Sequence, residues 1–87
     1  MYVLIVYDVD VGIVNRLNKF LKCYLNWRQN SVFEGELSVS QLERIKAGIK
    51  EIINDKMDSV HIYKLPSKKS MELEIIGIEK NPIERIL

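Results

Sequence analysis

The chain opens on an unbroken apolar run, Tyr2-Val3-Leu4-Ile5-Val6-Tyr7, that stops at a single charge, Asp8. β-Branched and aromatic residues at nearly every position predict a strand over 2–9 that is buried on both faces. Strand alternation sends Tyr2, Leu4, Val6 and Asp8 to one face, and Val3, Ile5, Tyr7 and Val9 to the other. From Val11 the period lengthens. Val14, Leu17, Leu21 and Tyr24 share one helical face, widened by Phe20 and Leu25, and Asp10 stands where an N-cap is wanted. Trp27 to Leu37 reads as extended chain that kinks or breaks around Asn30. Ser38 or Ser40 then opens a second helix, with Gln41 or Glu43 as the other half of a capping box. Its buried stripe is Leu42, Ile45, Ile49, Ile52 and Ile53. Val60 to Leu65 is a further strand stopped by Pro66, and Glu72 to Ile78 a last short strand closed by Gly77 and Pro82.

Strand, helix, broken strand, helix, strand is the split β-α-β order of ferredoxin-like folds. The expected architecture is a single α+β domain over 1–87: a ferredoxin-like βαββαβ unit with an additional C-terminal strand, and 79–87 as a tail. Two helices cover only one face of such a sheet, yet the first strand is apolar on both. A second copy of the chain is the simplest cover for the other face, which predicts a homodimer.

Composition adds boundaries rather than a function. At 47% hydrophobic and 29% charged, the 87 residues suit a small folded domain and not a disordered chain. A net charge of +1 does not by itself call for nucleic acid; only clustering of the thirteen basic residues could. Cys23 is the sole cysteine, which excludes an intrachain disulfide and a thiolate metal cluster and suits a free thiol on a cytosolic helix. The N-terminal apolar run is short, lacks a basic lead and is broken by a charge, so it is not expected to be a signal peptide. No stretch approaches the ~20 apolar residues of a membrane span. A cytoplasmic protein without membrane contact is expected.

Asp8 is the residue with most chemistry in it. An unpaired carboxylate inside a doubly buried strand is costly, so Asp8 belongs where the strand emerges, at an element end where sheets tend to place their sites. A strand-end turn or hydrogen-bonding role is the alternative. Asp10 fits a cap, Glu34 and Glu36 fit solvated charges beside Gly35, and His61, alternating with Val60 and Ile62, fits a structural or surface histidine. Arg16, Lys19 and Lys22 recur at spacings of three on the polar side of the first helix, with Arg28 beyond them. With Lys64, Lys68 and Lys69 they could build basic stripes, or be ordinary solvated positions.

Tyr7-Asp8-Val9, followed by Gln29-Asn30-Ser31-Val32-Phe33-Glu34-Gly35, Asp58-Ser59-Val60 and Ile76-Gly77-Ile78-Glu79, resembles a known family along nearly the whole chain. This is the family of small CRISPR-associated endonuclease-type proteins that partner the CRISPR integrase in spacer acquisition. The resemblance implies a ferredoxin-like homodimer with sheets face to face and the last strand crossing to the partner's sheet. It also implies that Asp8 is a catalytic and metal-binding residue, facing its symmetry mate with Mg2+ between them. Ser31 and Phe33 follow as supporting residues, with Ser31 ordering the site by hydrogen bonding and Phe33 in the core. Arg16, Lys19 and Arg28 are the candidate nucleic-acid contacts. Family members usually carry a basic residue near Ile13; this chain has none, and Arg16 lies one turn on.

Two functions of different class fit. One is a magnesium-dependent endonuclease acting on RNA or DNA. The other is a non-catalytic bridge that joins integrase units and cradles duplex DNA, and the resemblance favours this as the main role with nuclease activity beside it. A generic ferredoxin-like ligand-binding module would explain the fold but not the run from Asn30 to Gly35.

Overall fold

The computed structural model describes residues 1–67. The last strand over 72–78, the tail over 79–87, and Lys68 and Lys69 lie outside the described residues. The sheet is built around β1 (Tyr2–Asp8). It is followed by α1 (Val14–Lys22), β2 (Asn26–Gln29), β3 (Val32–Glu36), α2 (Val39–Ile52) and β4 (Ser59–Leu65). The strand order is β2-β3-β1-β4 and every pairing is antiparallel. That is the ferredoxin-like order read from the sequence, with β2 and β3 as the two halves of the stretch that breaks at Asn30. Asn30 has a φ of 45°, a left-handed turn conformation that asparagine tolerates better than most residues.

β1 is buried from Tyr2 to Tyr7 and emerges at Asp8. It hydrogen-bonds on both edges, so Ile5 stands opposite Phe33 on β3 and opposite Ile62 on β4, and Asp8 opposite Ser59 closes the ladder. On one face Val3, Ile5, Tyr7 and Phe33 pack with Leu17 and Leu21 of α1 and Leu42, Ile45 and Ile49 of α2. Phe20 of α1 lies so close to Gly48 of α2 that a Cβ there would overlap its ring. On the other face Leu4, Val6 and Val32 form a smaller cluster with Tyr63 against it. Leu4, Val6 and Val32 are buried, with exposures of 3% or less.

The structure departs from expectation at three places. Asp10 does not cap α1. The helix begins at Val14, its N-cap is Ile13, and no side chain caps it. Asp10 instead builds the preceding turn: its carboxylate accepts the Gly12 N–H at 2.9 Å and its carbonyl the Ile13 N–H at 3.0 Å. The helix also stops at Lys22, so Leu25 enters the core from the loop leading to β2. Finally, Glu34 is not a solvated charge. It is buried on the face opposite the helices, paired with the Arg28 guanidinium at 3.0 Å and hydrogen-bonded with Tyr2. The Arg28 cation on Oε1 is what makes the buried carboxylate tolerable, since Oε2 is buried without a hydrogen-bond partner among the described residues.

At the second helix the sequence left two candidate caps, and the structure selects Ser38. Its hydroxyl accepts the Gln41 N–H at 3.2 Å, while Gln41 Oε1 accepts the Ser38 N–H at 2.9 Å. Among the described residues no helix is long and apolar enough to cross a membrane. Ser38→Ala should lower the unfolding free energy by about 1 kcal/mol, and Ser40→Ala by clearly less, in urea titrations of the two variants. Equal effects would mean that the cap is shared.

Candidate functional site

Three aspartates meet at the end where β1 leaves the sheet, and hydrogen bonding separates their roles. Asp58, just before β4, has both carboxylate oxygens in use. Oδ1 accepts the Asp10 N–H and Oδ2 the Asn54 N–H, each at 2.8 Å. It therefore ties the loop after β1 to the loop before β4. Asp10 is occupied in its turn. The Asp8 carboxylate is exposed and, among the described residues, takes part in no hydrogen bond or ion pair. Asp8 is thus the carboxylate of the three whose oxygens are free for chemistry.

The backbone that carries Asp8 is fixed from several sides. On the β3 side the Tyr7 N–H donates to the Ser31 carbonyl at 3.1 Å, so Ser31 orders this end through its main chain. On the β4 side Ser59 pairs with Asp8. Asp58 holds Asp10 two residues on. Phe33 is fully buried and stacks against Tyr7, with ring centroids 6.3 Å apart and an interplanar angle of 25°. It thus acts as core beneath the site. The Tyr7 hydroxyl donates to Asn18 of α1, anchoring that helix to the same strand end.

Asp8, Ser59 and His61 line a hollow of about 60 Å³ together with Val6 and Tyr7. Ser59 and His61 are exposed, and their register places them on the face of Val6 and Asp8. His61 is a surface histidine, as the alternation of β4 suggested. Its nearness to Asp8 became visible only with the register of β4 on β1. The basic candidates divide. Arg16 and Lys19 are exposed on α1, whereas Arg28 is engaged by Glu34.

The structure resembles solved proteins over most of its length. A crystal structure described as that of "cas2" superposes with a TM-score of 0.82 at 52% identity, covering 100% of this chain and 98% of the other. The Cas2 of Streptococcus pyogenes, crystallised at pH 6.5, gives 0.78 at 30% identity over 88% of this chain and 100% of its own. In sequence, the family profile described as CRISPR associated protein Cas2 matches residues 1–72. The chain belongs to this family. Proteins of Pyrococcus furiosus and Thermococcus kodakarensis, each named CRISPR-associated endoribonuclease Cas2, are both 56% identical to it across the full length of either partner. The Cas2 membership agrees with the resemblance carried by Tyr7-Asp8-Val9 and the run from Gln29 to Gly35.

Cas2 membership does not by itself say which side chains are tuned, but two tyrosines are. Burial pushes the Tyr7 hydroxyl above the ordinary value of 10.0, against a smaller opposing effect of its bond to Asn18. Burial also raises Tyr2, and the Glu34 carboxylate beside it adds to the shift. Both hydroxyls hold their protons more tightly in the folded state than in the unfolded one. Their contribution to stability is therefore complete below the unfolded value near 10 and is lost as pH rises through the folded values. The melting temperature should fall above about pH 10, and Tyr7→Phe should flatten that fall. An identical alkaline profile in Tyr7→Phe and wild type would remove Tyr7 from the account.

Proposed function

We propose that this chain is a metal-dependent endoribonuclease, acting as a homodimer in which each copy contributes Asp8 to a magnesium site. The observation that carries the reading is the free, exposed Asp8 carboxylate on a strand end braced by Ser31, Ser59 and Asp58. The ribonuclease class follows the names of the full-length relatives.

The donor set fits magnesium only if it is shared. Among the described residues no group of three or more acidic, histidine or cysteine side chains is placed to hold a metal ion. Magnesium needs no such cage, because it keeps several waters and takes one or two carboxylates. One Asp8 is a meagre site, and a two-fold axis through it would supply the second carboxylate. This need is our reason for the dimer. Bound there, magnesium would offset charge on the scissile phosphate and make a bound water more acidic. The chain's own part is to present the Asp8 oxygens at a fixed position. Ser59 and His61 border the hollow into which a phosphodiester would enter.

The same dimer has a second task in this proposal, which is to bridge CRISPR integrase units and hold duplex DNA during spacer acquisition. It is favoured by the exposed Arg16 and Lys19 on the outer side of α1. Arg28 contributes less, because its charge is offset by Glu34. Both tasks belong in the cytoplasm, where the nucleic acids are.

Asp8→Asn should keep the fold by circular dichroism and abolish magnesium-stimulated RNA cleavage, since an amide lacks the anionic oxygen magnesium prefers. Magnesium-stimulated cleavage at the wild-type rate, in preparations cleared of contaminating nuclease, would return Asp8 to a structural role. Spacer acquisition measured on the same variant with the integrase present separates the tasks: acquisition retained without cleavage makes the bridge independent of catalysis. Light scattering at micromolar concentration should report a dimer for both proteins, and a folded monomer would overturn the shared site.

A further inference from the structure

Trp27 is an indole without a place in the core. It is 54% exposed and belongs to neither hydrophobic cluster of the described residues, nor to the side chains packed against them. Yet it is held. Its Nε1–H donates to the Asn30 carbonyl at 3.1 Å, across the hairpin turn that Asn30 makes at φ 45°. That bond uses the edge of the ring. Trp27 stands opposite Phe33, which puts it on the helix side of the sheet, on the outer strand β2. There the Lys22 ammonium, at the end of α1, lies 5.9 Å from the ring centroid.

Along the chain on either side of it the charge has one sign. From Val11 to Phe33 the chain carries Arg16, Lys19, Lys22 and Arg28 and no carboxylate, whereas acidic residues outnumber basic ones in the rest of the sequence. Arg28 is engaged by Glu34, but Arg16, Lys19 and Lys22 are exposed. An exposed aromatic ring beside unpaired cations is the combination by which proteins hold single-stranded nucleic acid: bases stack on the ring and phosphates meet the cations. A ring serving only as a lid over the hairpin would need no such surroundings.

We propose that Trp27 is a stacking platform for an unpaired nucleobase, with Lys22 and Lys19 receiving the neighbouring phosphates of single-stranded RNA. The proposal rests on the ribonuclease reading and adds to it a place where the strand is gripped away from Asp8. Trp27 lies about two strands across and three residues along from Asp8, roughly 10 Å in each direction. RNA stacked on Trp27 could therefore pass over the hairpin rim toward the Asp8 end. Stacking of this kind tolerates any base, which suits an enzyme that grips by shape and charge.

Trp27 is the only tryptophan in the chain, so its emission reports on this position alone. With magnesium omitted to prevent cleavage, a short oligouridylate should quench that emission saturably, and less so as salt is raised. In parallel, anisotropy of a labelled copy of the same RNA should show Trp27→Ala binding about 5- to 150-fold more weakly, and Trp27→Phe close to wild type. Should Trp27→Ala fail to fold, the quenching and the phenylalanine variant still decide. RNA that binds by anisotropy while Trp27 emission stays unchanged overturns the platform and leaves the ribonuclease reading standing. RNA that does not bind at all overturns both. Quenching by the integrase alone, without quenching by RNA, would make Trp27 a protein contact and overturn the platform.

Discussion

Everything in this chain hangs on β1 being paired along both edges and buried on both faces. Residues Tyr2 to Tyr7 have no side exposed to water, so each of them is chosen by packing. Full burial of one aliphatic side chain contributes roughly 1.5–3 kcal/mol, which makes this strand the largest single source of stability in so small a domain. It also dictates where charge can go. The only position of β1 that can carry a carboxylate without a buried partner is its last, and Asp8 occupies it. The helices dock on the Val3, Ile5 and Tyr7 side of the same strand, so the stability of the fold and the placing of the site have one origin.

Beyond the end of β1, control passes from the sheet ladder to side-chain acceptors. Asp58 spends both oxygens on main-chain N–H groups from two loops, and Asp10 spends one on the turn that leads into α1. Acceptors already used in this way are poor candidates for a ligand. The same accounting that makes Asp58 and Asp10 structural leaves Asp8 available, although all three are aspartates within a few residues of the same strand ends. Residue type alone could not have ranked them.

Much of this is legible in the sequence. Alternation and the change of period at Val11 gave the elements, and the break at Asn30 separated β2 from β3. Tyr7-Asp8-Val9 and the run from Gln29 to Gly35 gave the family. Three features were hidden, each for a physical reason. Asp10 has the right chemistry for a cap, but the turn closed by Gly12 delays the helix by three residues, and no local pattern measures that delay. Glu34 reads as a surface charge because its partners come from elsewhere: Arg28 reaches it from β2 and Tyr2 from β1. The closeness of Ser59 and His61 to Asp8 depends on the register of strands some fifty residues apart in the chain, which a single sequence does not encode locally.

A chain can be nearly neutral and still be strongly polar. Collecting Arg16, Lys19 and Lys22 on a stretch without acids gives the protein a dipole component toward α1 that its net charge of +1 does not show. Toward a polyanion such a molecule feels little pull at a distance but a torque as it approaches. It would turn its α1 side to the nucleic acid before touching it. In a two-fold pair the components of two such dipoles across the axis cancel and those along it add. The tilt of α1 to that axis would then set whether the assembly meets RNA or DNA with one polarised face or with two opposed ones.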